Sequence, residues 1–138
     1  MAAVELRFLY VGSDDTGTDL ARWLALPGAV LRWRFHAFAA DVAAVDLGQA
    51  PLVLIADHRP AGSVLPIYAV ADLDASVRQL QAAGWDLLDH HAGTPEGPTS
   101  VLRSDVGTEI ALLRVDRPGA MDAAFTDEGN SHAIHSDG

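Results

Sequence analysis

The chain contains no cysteine. That excludes a disulfide scaffold, a thiolate metal site and a cysteine nucleophile, and it fits a reducing compartment. Positive charge is also scarce. Nine Lys and Arg stand against nineteen Asp and Glu, for a formal net charge of -10 at pH 7. A surface of that sign repels phosphate backbones, so no nucleic-acid partner is expected, while a cationic ligand would be favoured. No apolar run approaches the roughly 18 residues of a membrane span, so no membrane partner is expected either. The start, Met1-Ala2-Ala3-Val4-Glu5, lacks the basic residues and apolar stretch of a secretory leader, and the expected location is cytoplasmic. What the chain does have is a hydrophobic fraction of 49% over 138 residues, enough for one domain's worth of packed core.

It also has an internal echo. Asp46-Leu47-Gly48 returns as Asp105-Val106-Gly107 at an offset of 59, and Arg59-Pro60 returns as Arg117-Pro118 at 58. Tyr10, four residues before Asp14, matches Tyr68, four before Asp72, at 58, and Gly28 matches Gly84 at 56. Offsets drifting about one period mark a duplicated unit with small insertions. Two like half-sheets joined edge to edge would enclose a cavity, the first place to look for chemistry.

Element signals follow the same period. Val4 to Val11 reads as a strand, broken by Gly12-Ser13-Asp14-Asp15, with Ser13 or Asp14 as the expected cap of a helix carrying Leu20, Trp23 and Leu24 on one face. Pro27-Gly28 ends that helix. Strands follow at 30–38, 42–47 and 52–56. The second unit repeats the order: a strand at 64–70, a helix opened by Asp72 and stopped by Gly84, and strands at 85–90, 99–104 and 109–115. Each half reads βαβββ. The predicted fold class is α+β, two tandem βαβββ modules forming a curved mixed sheet around a central cavity. Residues 59–63 link the halves, Gly93 to Pro98 reads as a mobile rim loop, and Ala120 to Gly138 reads as a partly disordered tail.

Ile67-Tyr68-Ala69-Val70-Ala71-Asp72-Leu73-Asp74 is similar to a strand that enters a helix through an acidic D-L-D start. Ser104-Asp105-Val106-Gly107-Thr108-Glu109-Ile110 is similar to a D-P-x-G-N turn into a last strand. With the paired βαβββ units, these segments resemble the vicinal oxygen chelate superfamily, which includes glyoxalase I, extradiol dioxygenases, fosfomycin-modifying enzymes and bleomycin-resistance proteins. The resemblance implies one such domain at 1–118, with module 1 at about 4–58, module 2 at about 64–117, and a tail at 119–138. It also implies four metal ligands in the metal-dependent members, from the first and last strands of each module. Mapped onto this chain, those positions fall at Arg7, at or near Leu52, Leu65 and Ala111. Leucine and alanine offer no lone pair, and arginine stays protonated, so no metal and no cofactor is expected.

The same mapping turns Glu5, Arg7 and Leu9, then Leu65, Ile67 and Ala69, then Glu109, Ala111 and Leu113 toward the cavity. Arg7 and Glu109 are read either as a ligand-orienting pair or as a plain salt bridge at the rim. On the third element, Leu31, Trp33 and Phe35 are expected against the helix, leaving Arg34, His36 and Phe38 toward the pocket; an exposed polar strand face is the alternative. Trp23 reads as core, while Trp33 and Trp85 are candidate ligand contacts with core as the competing reading. Arg103 joins the candidate ligand-binding set. Tyr10 and Tyr68 read as structural and helix-facing. His90 and His91 point to opposite faces and cannot chelate together; one of them, His36 or Glu109 could serve as an acid or base. Asp57 and His58 lack a visible third ligand, and His132 and His135 read as solvated.

The first functional reading is metal-independent sequestration of a drug or natural product, cationic or aromatic, as in the bleomycin-resistance members. The second is a metal-free isomerase, cyclase or lyase acting on a secondary metabolite. The third is a ligand-free structural or regulatory dimer. A homodimer is expected under each.

Overall fold

Two aspartates start the two helices. In the computed structural model, which describes residues 4–37, 40–57, 59–120 and 133–134 (backbone alone at 36–37, 40, 90–93 and 133–134), Asp15 accepts a hydrogen bond from the Thr18 N–H and Asp72 one from the Ala75 N–H. These side chains satisfy a backbone donor that a first helical turn leaves orphaned. Asp15 therefore caps the first helix, where Ser13 or Asp14 was expected. Ser13 instead accepts from the Asp15 N–H and donates its hydroxyl to Asp19.

The elements run β1 (Glu5–Gly12), α1 (Thr16–Leu24), β2 (Val30–Ala37), β3 (Ala40–Asp46), β4 (Leu52–Ala56), β5 (Val64–Ala69), α2 (Leu73–Ala82), β6 (Asp86–Thr94), β7 (Gly97–Arg103), β8 (Glu109–Leu113) and a short β9 (Ala133–Ile134). The order is βαβββ twice, an α+β fold. None of the described helices is long and apolar enough to cross a membrane.

The chain packs as two units. An N-terminal unit holds the described residues of 8–64 together with 133–134; a C-terminal unit holds 65–120 together with 4–7. In the N-terminal unit the strand order is β1-β4-β3-β2-β9, with β1 and β4 parallel and the remaining pairs antiparallel. Helix α1 lays Leu20 onto Val11, Ala43, Val45, Val53 and Ile55, with Trp23, Leu24 and Leu31 at the edge of that cluster. In the C-terminal unit the order is β6-β7-β8-β5, with β5 and β8 parallel. Helix α2 lays Leu73 and Val77 onto Val70, Leu102 and Leu112, with Tyr68, Leu80 and Trp85 alongside.

The ladders fix the internal equivalence. Tyr10 stands opposite Leu54, as Ile67 stands opposite Ala111. The Ser13 N–H donates to the Ala56 carbonyl at 3.0 Å, as the Val70 N–H donates to that of Leu113 at 2.9 Å. Like the caps, from Asp15 to Asp72, these pairs give an offset of 57. The counterpart of Tyr10 is thus Ile67 and not Tyr68.

The segment expected as a rim loop is a tight hairpin. Strand β6 runs through Gly93 to Thr94, and β7 starts at Gly97. Thr94 Oγ1 accepts from the Gly97 N–H and donates to the Gly97 carbonyl. Gly97 has φ +155, and a Cβ there would lie 1.9 Å from the Arg114 carbonyl oxygen. At Gly12 a Cβ would lie 1.9 Å from the Pro60 carbonyl oxygen. Neither backbone neighbour can yield without breaking local pairing. Gly97→Ala and Gly12→Ala are each expected to lower unfolding free energy by about 3 kcal/mol, read by urea denaturation; a loss under about 0.5 kcal/mol would show that the close approaches relax freely.

Candidate functional site

An extended strand sends successive side chains to opposite faces. In the N-terminal unit the helix side of the sheet carries Val11, Ala43, Val45, Val53 and Ile55, so Phe8, Tyr10, Ala44 and Leu54 face away from α1. Strand β2 carries a register shift between Leu31 and Trp33. Leu31 pairs with Val45 on the helix side, whereas Trp33 pairs with Ala44 on the other. The extra residue puts Trp33 and Phe35 on the face opposite to the one that simple alternation from Leu31 gives. This reverses the expected arrangement: Trp33, 4% exposed, turns away from the helix. Arg34 sits on the helix side with its guanidinium about 3.7 Å from where a Gly17 side chain would begin.

Arg34 grips Asp41 with both arms, Nε to Oδ1 at 2.9 Å and Nη2 to Oδ2. The Asp41 carboxylate holds the Arg34 guanidinium proton more firmly than usual. Asp41 is itself anchored: its N–H donates to Asp57 and its carbonyl accepts from the Thr16 hydroxyl. This is a brace between β2, β3 and the start of α1. His36 stands opposite Asp41 in the backbone register, and Phe38 lies outside the described residues, as do His58, His132 and His135.

In the C-terminal unit the face away from α2 carries Leu65, Ile67 and Ala69 on β5, Glu109, Ala111 and Leu113 on β8, and Thr99, Val101 and Arg103 on β7. The sequence pattern places Leu65, Ile67, Glu109 and Ala111 together there, and the register adds Arg103. Glu109 accepts from Arg103 Nη2 at 2.8 Å and Nε at 3.3 Å. Arg7 pairs with Glu96, Nε to Oε1 at 2.7 Å and Nη2 to Oε2 at 3.3 Å. Glu96 is 3% exposed. Its other contacts are the Gly119 N–H at Oε2 and, on its carbonyl, the Asp116 and Arg117 N–H groups. A carboxylate so buried is tolerable because an arginine fork and a backbone donor complete its bonding. Leu9 stands opposite Val53 on the helix side, against expectation. Trp85 packs onto the α2 cluster. His90 stands opposite Ser100 in the backbone register.

With the offset of 57, the positions equivalent to Leu65 and Ala111 are Phe8 and Leu54, not Arg7 and Leu52. All four side chains lack a donor atom for a cation. Among the described residues, no three His, Cys, Asp or Glu side chains converge as a metal site would require. These strand positions therefore do not fit the metal that the superfamily resemblance would bring.

Alternation with the wrong period puts Tyr10 on the helix side, whereas the ladder turns it to the other face. Half-buried and turned away from α1, it has its phenol pKa pushed up to about 12, first by burial; the Asp57 carboxylate adds to this, while the Arg59 guanidinium, 5.9 Å above the ring, works against it. The phenol stays neutral across any physiological pH. The signal that could have found it was the D-x-G repeat, whose odd offset of 59 shares its parity with 57; the even offset of 58 swaps faces. Glu96 was missed because a Pro-Glu-Gly turn reads as solvated.

Two βαβββ units, each with its helix on one face of its sheet, have the fold of the vicinal oxygen chelate, or glyoxalase-like, superfamily. Among solved structures, the chain is similar to a hypothetical protein of Bacillus halodurans, with TM-score 0.69 and 8% identity over 84% of this chain and 97% of that one. It is similar to methylmalonyl-CoA epimerase from Mycobacterium tuberculosis, with TM-score 0.65 and 16% identity over 85% and 94%. A methylmalonyl-CoA epimerase in complex with methylmalonyl-CoA and NH4+ gives 0.65 and 12% over 83% and 96%. At these identities the likeness is one of fold. No family model matches the chain, and no curated protein matches its sequence.

A raised phenol pKa stabilises the folded state below the unfolded value of about 10, and that stability is lost as pH climbs from about 10 to 12. In a Tyr68→Phe variant, the remaining tyrosine is expected to titrate near 12 by absorbance at alkaline pH, with a stability decline that starts near 10. A midpoint near 10 in the folded protein would contradict the burial of Tyr10.

Proposed function

We propose that the chain is a metal-independent small-molecule-binding protein of the glyoxalase and bleomycin-resistance type, which sequesters a drug or natural product on the strand faces turned away from the helices. The observation that carries this reading is the chemistry of Phe8, Leu54, Leu65 and Ala111: apolar side chains stand where metal-dependent relatives of this fold would need donors. Each unit offers its own partly exposed contacts on such a face: Tyr10 and Leu52 on the N-terminal unit, and Ala69 and Val101 on the C-terminal unit, where the Arg103–Glu109 pair supplies polar contacts. Apolar lining with a few oriented polar groups is the usual composition of an organic-ligand site. The net charge of -10 favours a cationic or aromatic-cationic guest. In this reading the protein is a cytoplasmic homodimer that confers resistance by holding an antibiotic unchanged.

A second reading is favoured by the fold's likeness to epimerases: a metal-free isomerase, cyclase or lyase. Glu109 is its best-placed acid or base, since it shares a face with Leu65, Ile67 and Ala111. His36 and His90 are the other candidates carried forward.

The test is a thermal melt of protein dialysed against EDTA, run with a panel of cationic aromatic antibiotics. A ligand at a hundredfold excess over its dissociation constant should stabilise the fold by about 2.7 kcal/mol. Mass spectrometry should then recover the compound unchanged. Binding that appears only when a divalent metal is restored would overturn metal independence. Conversion of the compound, lost in Glu109→Gln, would favour the enzyme.

A further inference from the structure

The C-terminal unit has an open groove on its other face, beside α2. It encloses about 430 Å³ and is lined by Tyr68 and Leu112 from the sheet, Ser76, Gln79 and Leu80 from the helix, and Trp85. Positions 76, 79 and 80 recur at helical spacing of three and four, so they form one stripe of α2. Leu80 also borders the buried stripe of Leu73 and Val77, which packs on the sheet. The groove is what remains between the two. Trp85 borders the groove, its backbone N–H donating to the Leu80 carbonyl at 3.0 Å, just past the turn at Gly84.

Two features set this groove apart from a gap in packing. Its volume falls in the range of sites for drug-sized molecules, roughly 300–1,000 Å³. Its rim carries a phenol, a hydroxyl, an amide and an indole N–H, and none of the Tyr68, Ser76, Gln79 or Trp85 side chains has a hydrogen-bond partner among the described residues. Among the described residues, no Asp, Glu or Arg side chain lines it. An ion would gain nothing there and would lose its hydration.

We propose that this groove is a second ligand site, distinct from the strand faces discussed above, which takes a neutral, flat, largely apolar organic molecule with a hydrogen-bonding group at one end. The ring stacks on Trp85 and Tyr68, and the polar end meets Ser76 and Gln79. The reading does not depend on what the opposite face of the sheet binds.

The test is a fluorescence titration with N-phenyl-1-naphthylamine, an uncharged two-ring amine. The expected result is saturable binding of one probe per chain with a dissociation constant of about 100 µM or tighter. Ser76→Phe and Gln79→Trp place a ring in the groove from partly exposed helix positions. Each should weaken binding at least about tenfold while leaving the melting midpoint within error. An anionic naphthalene sulfonate should bind at least about tenfold more weakly. Equal probe binding by both variants and wild type would put the probe elsewhere and overturn the proposal. So would the absence of a saturable response, or a response that vanishes as the protein self-associates, since a second copy would then cover the groove. Failure of the antibiotic melt leaves this titration unaffected, and the reverse also holds.

Discussion

The structure depends on two parallel strand pairs, β1 with β4 and β5 with β8, whose buried residues are apolar on both faces. Parallel strands buried on both sides read as unbroken hydrophobic runs. Leu52-Val53-Leu54-Ile55-Ala56 and Ile110-Ala111-Leu112-Leu113 are such runs. In each, one set of side chains meets the helix: Val53 and Ile55 under α1, Leu112 under α2. The alternate set, Leu54, Ala111 and Leu113, is at most 2% exposed, yet carries no polar atom. The same constraint that builds the core thus leaves the buried part of the opposite face, at Leu54, Ala111 and Leu113, without metal donors. An apolar side chain chosen for one face cannot be swapped for a histidine without placing an unpartnered polar group in a closed environment.

Charge is kept at the margins of this frame, and in one chemical form. All nine cationic residues are arginines. Among the described residues, Arg7 with Glu96, Arg34 with Asp41, Arg103 with Glu109 and Arg114 with Asp116 each grip a carboxylate with both arms. The planar fork fixes geometry as well as charge, which a lysine could not do. The pairs differ in what they achieve. Glu96 ties β1 to the β6–β7 hairpin and the chain after β8, with its charge shielded from water. Arg103 and Glu109 are exposed enough for solvent to screen them, so their mutual attraction contributes about 0–1 kcal/mol.

Much of the architecture was legible because it rests on local chemistry. Two acidic caps, two runs of β-formers and the turn glycines mark βαβββ twice without any long-range information. What failed were arguments that needed register. Nothing in Val30 to Ala37 announces the bulge after Leu31, and that one residue moves Trp33 and Arg34 to the opposite faces from those alternation predicts. The pairing of Tyr10 with Tyr68 failed for a related reason: identical residues at an even offset cannot be equivalent when the strands match at an odd one. Partner choice was illegible in the same way. Arg7 and Glu109 each found a different ion partner, because Glu96 hides in a turn and Arg103 stands directly across the ladder.

If the strand faces hold no ion, elemental analysis of the purified protein will show it. Inductively coupled plasma mass spectrometry on protein expressed in zinc-, iron-, manganese- and nickel-supplemented medium should find only trace, substoichiometric metal. A firmly held stoichiometric ion, retained through gel filtration and lost on Glu109→Gln or Tyr10→Phe, would contradict it.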